Sequence, residues 1–132
     1  MPTLLVVVAF GASAGAIIRW ALSAWLNGLY PPIPIGTLAS NLIGGYLVGI
    51  AVAVFAAWPG LSPMWRMLLV TGFLGGLTTF STFSAEVVAN LLDGRLLHAF
   101  AAVAAHVLGS LVCTVLGIAT VRWLNGTPPI GG

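Results

Sequence analysis

In a chain of 132 residues, 60% hydrophobic and 5% charged, four arginines and two acidic residues cannot supply the surface of a soluble domain. A mean hydropathy of +1.13 points instead to an all-α integral membrane protein. The net charge of +2 comes from scattered arginines, which gives nucleic-acid binding no basis, and the lone Cys113 excludes a disulfide or a cysteine metal site within one chain.

A membrane span needs about 20 apolar residues, so four spans in one membrane domain (1–126) nearly exhaust the length. The amino-terminal Met1-Pro2-Thr3 lacks the basic region of a cleaved signal, so the first apolar run, about Thr3–Leu26, is expected to be a span. It carries Gly11, Gly15 and Arg19 at four-residue spacing, hence on one face. The glycines admit a neighbouring helix closely. Arg19 is open to two readings: it snorkels or pairs structurally, or it draws in an anion.

Asn27-Gly28-Leu29-Tyr30-Pro31-Pro32 breaks the chain before the second span, about Ile35–Trp58. There Gly45 and Gly49 form a packing pair, whereas Asn41 places an amide in hydrocarbon. That amide either ties helices together or presents its amino group to an anion.

After Pro59-Gly60-Leu61-Ser62-Pro63 comes the third span, about Met64–Leu92, which contains Gly72-Phe-Leu-Gly-Gly-Leu-Thr-Thr-Phe-Ser-Thr-Phe-Ser-Ala-Glu86. Gly72, Gly75, Gly76, Thr78 and Thr79 make this the weakest helical stretch of the chain, and a mid-membrane break is expected in it. Broken backbone at membrane depth is tolerated only inside protein or along a cavity. Its freed carbonyls suit a cation and its freed amides an anion. Beyond the break Phe80 and Phe83 share a face, with Glu86 at the next step. Taken singly, these are ordinary core rings and hydroxyls bonded back to their own helix. Together they point to an ion path.

The turn Asp93-Gly94-Arg95 leads to the fourth span, about Leu96–Leu124. His106, Ser110 and Thr114 recur every four residues and form a polar track beside the small residues Ala105, Gly109, Cys113 and Gly117. His106 by itself reads as a satisfied interior imidazole, and Cys113 as a small hydrophobe. Trp20, Trp25, Trp58, Trp65 and Trp123 fall near span ends, where indoles settle at headgroups. The tail Thr127–Gly132 reads as disordered.

An even number of spans puts both termini on one side, with Arg66 and Arg122; Arg95 lies on the other, with Arg19 leaning that way. Two against two sets no orientation by the positive-inside rule. Either the chain inserts both ways and opposite copies pair, or a further factor fixes its topology.

The run Gly-Gly-Leu-Thr-Thr-Phe-Ser-Thr-Phe-Ser on a third span closely resembles the Fluc (CrcB-type) bacterial fluoride channels. The resemblance extends over all four spans, through the glycine-rich first span ending in Arg19, Gly36-Thr-Leu-Ala-Ser-Asn-Leu-Ile-Gly44 and the polar fourth span. It implies an antiparallel, dual-topology homodimer with two pores in the bacterial inner membrane. It further implies that Phe80 and Phe83 line the pores, that Asn41 donates to the ion, and that Ser81, Thr82, Ser110 and Thr114 belong to the pathway. A sodium ion would be held at the dimer centre by the backbone carbonyls of Gly75 and Thr78, and no organic cofactor is expected. Arg19 and Glu86 would lie near the pore mouths. Many relatives carry tyrosine where His106 falls, so no role is carried onto His106. The resemblance implies passive fluoride export, not an enzyme. The rival is a proton-coupled exporter of the dual-topology four-helix type, whose membrane carboxylate sits on the first span; here that span carries Arg19, and Glu86 lies on the third.

Overall fold

The computed structural model describes residues 1–127, so the expectation of a disordered tail falls, from residue 128 onward, outside the described residues. Helix α1 runs Pro2–Leu26 and α2 runs Ile35–Ala57. The third apolar stretch contains α3 (63–77) and α4 (Phe80–Leu92), and α5 runs Leu96–Leu124. The described residues contain no strand, and four helical stretches are long and apolar enough to cross a membrane.

Local chemistry explains the ends. Pro2 opens α1, where a missing amide hydrogen costs nothing. Ser62 caps α3 by accepting from the Met64 amide at 3.2 Å, with Pro63 at the first helical position. Gly94, at φ 75°, makes the left-handed turn between α4 and α5. Asn90 anchors that turn, donating to Pro32 O at 2.8 Å and accepting from Arg95 Nε at 3.0 Å.

Glycine decides how closely the helices approach. On α1, a Cβ at Gly15 would stand 2.7 Å from Leu77 N, and on α3 a Cβ at Gly76 would stand 3.0 Å from Ala16 N. Helices α2 and α5 meet the same way through Gly45, Gly49 and Gly117. Thr114 Oγ1 bridges this contact by donating to Gly45 O at 3.0 Å. Tyr46 adds a second tie at 2.9 Å; because Thr120 gives its own proton to Leu116 O, the tyrosine must donate. Outward-facing Leu5, Phe10, Ile17, Leu97 and Leu108 are exposed, as are all five tryptophans. That pattern suits hydrocarbon between two headgroup belts.

Ser40 is fully buried on α2, yet its hydroxyl has no hydrogen-bond partner among the described residues. An unsatisfied buried hydroxyl costs about 1–3 kcal/mol. Ser40→Ala is therefore expected to raise thermal stability in detergent, and a lowered transition would show that the assembled protein supplies a partner.

Candidate functional site

Met67–Leu74 winds as a π-helix, so that the Gly75 amide reaches Val70 O, five residues back. Helical geometry ends at Leu77. Thr78 (φ −88°, ψ 154°) and Thr79 (φ −150°, ψ 115°) are extended, and α4 begins at Phe80.

Asn41 on α2 holds this interruption from the side. Its Oδ1 accepts from the Thr79 amide at 2.8 Å, and its Nδ2 donates to Thr79 O at 3.0 Å. The reciprocal pair fixes which way the amide faces. Nδ2 also lies 3.0 Å from Nδ1 of His106, a buried residue on α5. Both amide hydrogens of Asn41 are thus engaged within the protein. Thr79 Oγ1 caps α4 by accepting from the Thr82 amide at 3.1 Å, and it donates to Thr82 Oγ1 at 3.1 Å. Ser81 Oγ stands 3.3 Å away.

These bonds divert two amides from their usual i−4 carbonyls. Thr79 N–H goes to Asn41 instead of Gly75 O, and Thr82 N–H goes to Thr79 Oγ1 instead of Thr78 O. Among the described residues the carbonyls of Gly75 and Thr78 are left without an amide donor. Such oxygens are the hard ligands that a small cation takes. The Gly76 carbonyl is met by Arg19, whose Nε donates at 3.0 Å from α1.

Phe83 is buried, with its ring centroid 4.4 Å from that of His106. Phe80 meets Phe83 edge-on at 5.5 Å and 73°, but is 77% exposed. On α5 the Thr114 hydroxyl donates to Ser110 O as well as to Gly45 O, which engages its one hydrogen. Ser110 Oγ makes no hydrogen bond among the described residues, which leaves its proton available.

Asn41, Gly75, Thr78, Phe80, Phe83, Ser110 and Thr114 all line one open-sided cleft of about 550 Å³ between α2, the interrupted third stretch and α5. Ser81 and Thr82 join it through the Thr79 hydroxyl. Arg19 reaches the interruption from behind. Glu86 stands a turn beyond Phe83, where Thr37 Oγ1 donates to its Oε2 at 2.6 Å. The sequence placed Thr79 in the weak stretch and His106 on the polar track, but gave neither as a partner of Asn41 and singled out nothing at Thr37. Thr37 and Asn41 are four residues apart on one helical face, a signal that was legible. That Thr79 and His106 are the partners of Asn41 depends on contacts 38 and 65 residues apart.

The fold and the cleft define a small multi-pass membrane protein with a ring-lined, hydroxyl-bearing recess beside the extended pair Thr78–Thr79. The chain belongs to the CrcB-like family: the family model described as CrcB-like protein, Camphor Resistance (CrcB), matches residues 6–118. It is 61% identical over 118 residues to the fluoride-specific ion channel FluC of Chromobacterium violaceum, covering 89% of this chain and 94% of the relative. It is 62% identical over 118 residues to that of Tolumonas auensis, covering 89% and 93%. With that of Pseudomonas putida it shares 55% over 122 residues, covering 92% and 96%.

Proposed function

We propose that this chain forms a fluoride-selective passive channel, not an enzyme, that exports fluoride down its electrochemical gradient across the bacterial inner membrane. What carries the reading is the 61% identity, over 89% of the chain, to a protein named a fluoride-specific ion channel. The cleft supplies a physical rationale. Fluoride is small and tightly hydrated, so replacements for its water must be close and numerous. Aromatic edges are electropositive, and the edge-on pair Phe80–Phe83 offers rims that an anion can touch. Ser110 offers a hydroxyl proton. Neutral dipoles of this kind also release the ion, as conduction requires.

A single chain leaves the cleft open along one side, with Phe80 and Gly75 exposed. A second copy in the opposite orientation would close it, and the even split of the arginines favours insertion both ways. The break at Thr78–Thr79 would then lie at membrane depth, buried between subunits and lining the path. The paired subunits would hold a sodium ion on the freed carbonyls of Gly75 and Thr78, which supplies a fixed positive charge when bound. Glu86 would flank a mouth, whereas Arg19, held on Gly76 O, would stand behind the break instead of at the mouth expected for it. Such a channel relieves weak-acid trapping: neutral HF enters, dissociates inside, and the anion leaves.

Fluoride efflux from proteoliposomes, with chloride as control and with or without a proton gradient, tests the reading. Efflux selective for fluoride and indifferent to the gradient is expected; strict dependence on the gradient would favour coupled export. Phe80→Ile and Phe83→Ile are each expected to cut efflux by about fivefold or more, because removing the ring edge removes an interaction of at least about 1 kcal/mol. Dimer assembly, read by chromatography, should persist. Unchanged efflux in both variants would dispose of the ring-edge contact.

A further inference from the structure

We propose that His106 is a positioning residue: as the neutral Nε2–H tautomer it accepts the second amide proton of Asn41 and so keeps Asn41 clamped on the Thr79 backbone. The geometry fixes each assignment in turn. Thr79 N–H can meet only an oxygen, so Oδ1 of Asn41 faces Thr79 N at 2.8 Å. The amino group is thereby turned toward both Thr79 O and Nδ1 of His106, each at 3.0 Å. An amino group facing Nδ1 requires a bare ring nitrogen there, so the proton resides on Nε2. Phe83, packed on the ring at 4.4 Å, holds the plane of the imidazole.

A second proton on the ring would set Nδ1–H against the amino group of Asn41. One of the two would have to turn, and a turned amide loses both bonds to Thr79. Among the described residues the surroundings offer no carboxylate that would welcome a cation. On α4 the titratable group is Glu86, which is taken by Thr37. On α2 it is Tyr46, which donates to Thr120 Oγ1. On α5 itself His98 pairs with Tyr30, while Cys113 and Arg122 lie farther along. Across the interruption Arg19 is held on Gly76 O. Among the described residues, none of these makes a hydrogen bond or an ion pair with His106.

The flux consequence rests on the channel reading, whereas the tautomer does not. The ¹⁵N spectrum of histidine-labelled His98→Gln protein should show, at about pH 7.5, a neutral His106 ring with Nε2 protonated and Nδ1 bare. A charged ring, or the opposite tautomer, would overturn the proposal. In proteoliposomes His106→Leu should lower fluoride efflux about tenfold, the scale of losing one buried hydrogen-bond acceptor. His106→Asn puts Oδ1 near the lost Nδ1 and should retain efflux within about threefold of the unmutated chain. Full efflux from His106→Leu would overturn the proposal. A chain that carried no fluoride at any pH would sink the channel reading, and the nitrogen spectrum would still decide His106.

Discussion

Asn41→Asp is expected to reduce fluoride efflux by more than about a hundredfold, since the change sets charge repulsion where two hydrogen bonds were. One aspartate oxygen would still accept from Thr79 N–H. The other would replace the amino group and stand against two acceptors, Thr79 O and Nδ1 of His106, each 3.0 Å from the present nitrogen. The variant also adds a negative charge to the path of an anion. Asn41→Ala separates the two ways in which Asn41 could act. If its amide clamps the Thr78–Thr79 interruption, removing it leaves two backbone groups unsatisfied, each costing about 1–3 kcal/mol, and thermal stability falls along with efflux. If the amide instead served mainly as a donor to fluoride, efflux would fall and stability would hold. Efflux from proteoliposomes and melting in detergent, measured on the same preparations, distinguish the outcomes. Normal efflux in Asn41→Asp would remove Asn41 from the mechanism altogether.

The reason Asn41 was only half legible in the sequence is physical. An amide in an apolar span announces that it has partners, but not which ones. Thr79 is 38 residues away and His106 is 65, and only the packing of α4 and α5 on α2 selects them. Apolar length and breakers are local properties, so a helical stretch can be read from them without knowing what packs against it. The glycine stripes were legible for a similar reason, because a run of small residues on one face admits a backbone whatever its identity. Hydroxyls were the least legible. Their single hydrogen goes wherever the nearest carbonyl lies, so Thr114 gives its proton to Gly45 O and Ser110 O, while Ser110 one turn earlier keeps its own. Thr37 closes on Glu86 across 49 positions of sequence, and nothing local marks that pairing.

The second large effect falls on stability, at the crossing of α2 and α5. A Cβ on Gly117 would press into Tyr46 O, stand 2.9 Å from Ile50 N and lie 3.1 Å from Gly49 Cα. All three are backbone atoms of a helix and cannot turn aside, so Gly117→Ala must push the helices apart. That displacement stretches the Thr114–Gly45 and Tyr46–Thr120 bonds, which hold the same face together. Overpacking of this kind costs about 1–3 kcal/mol before the strained bonds are counted, and Gly117→Val should cost more. Two further glycines provide the scale. On Gly109 a Cβ would meet Leu42 Cδ2 at 2.7 Å, the far end of a flexible side chain that can swing clear, so Gly109→Ala should be mild. Gly60 has nothing within 4 Å of such a Cβ, so Gly60→Ala should leave the melting transition where it is. Thermal denaturation in detergent should therefore rank the three alanine variants with Gly117 worst, Gly109 intermediate and Gly60 unchanged. Equal losses at Gly109 and Gly117 would mean that the backbones do not approach as closely as described, and the cleft that depends on their spacing would have to be redrawn.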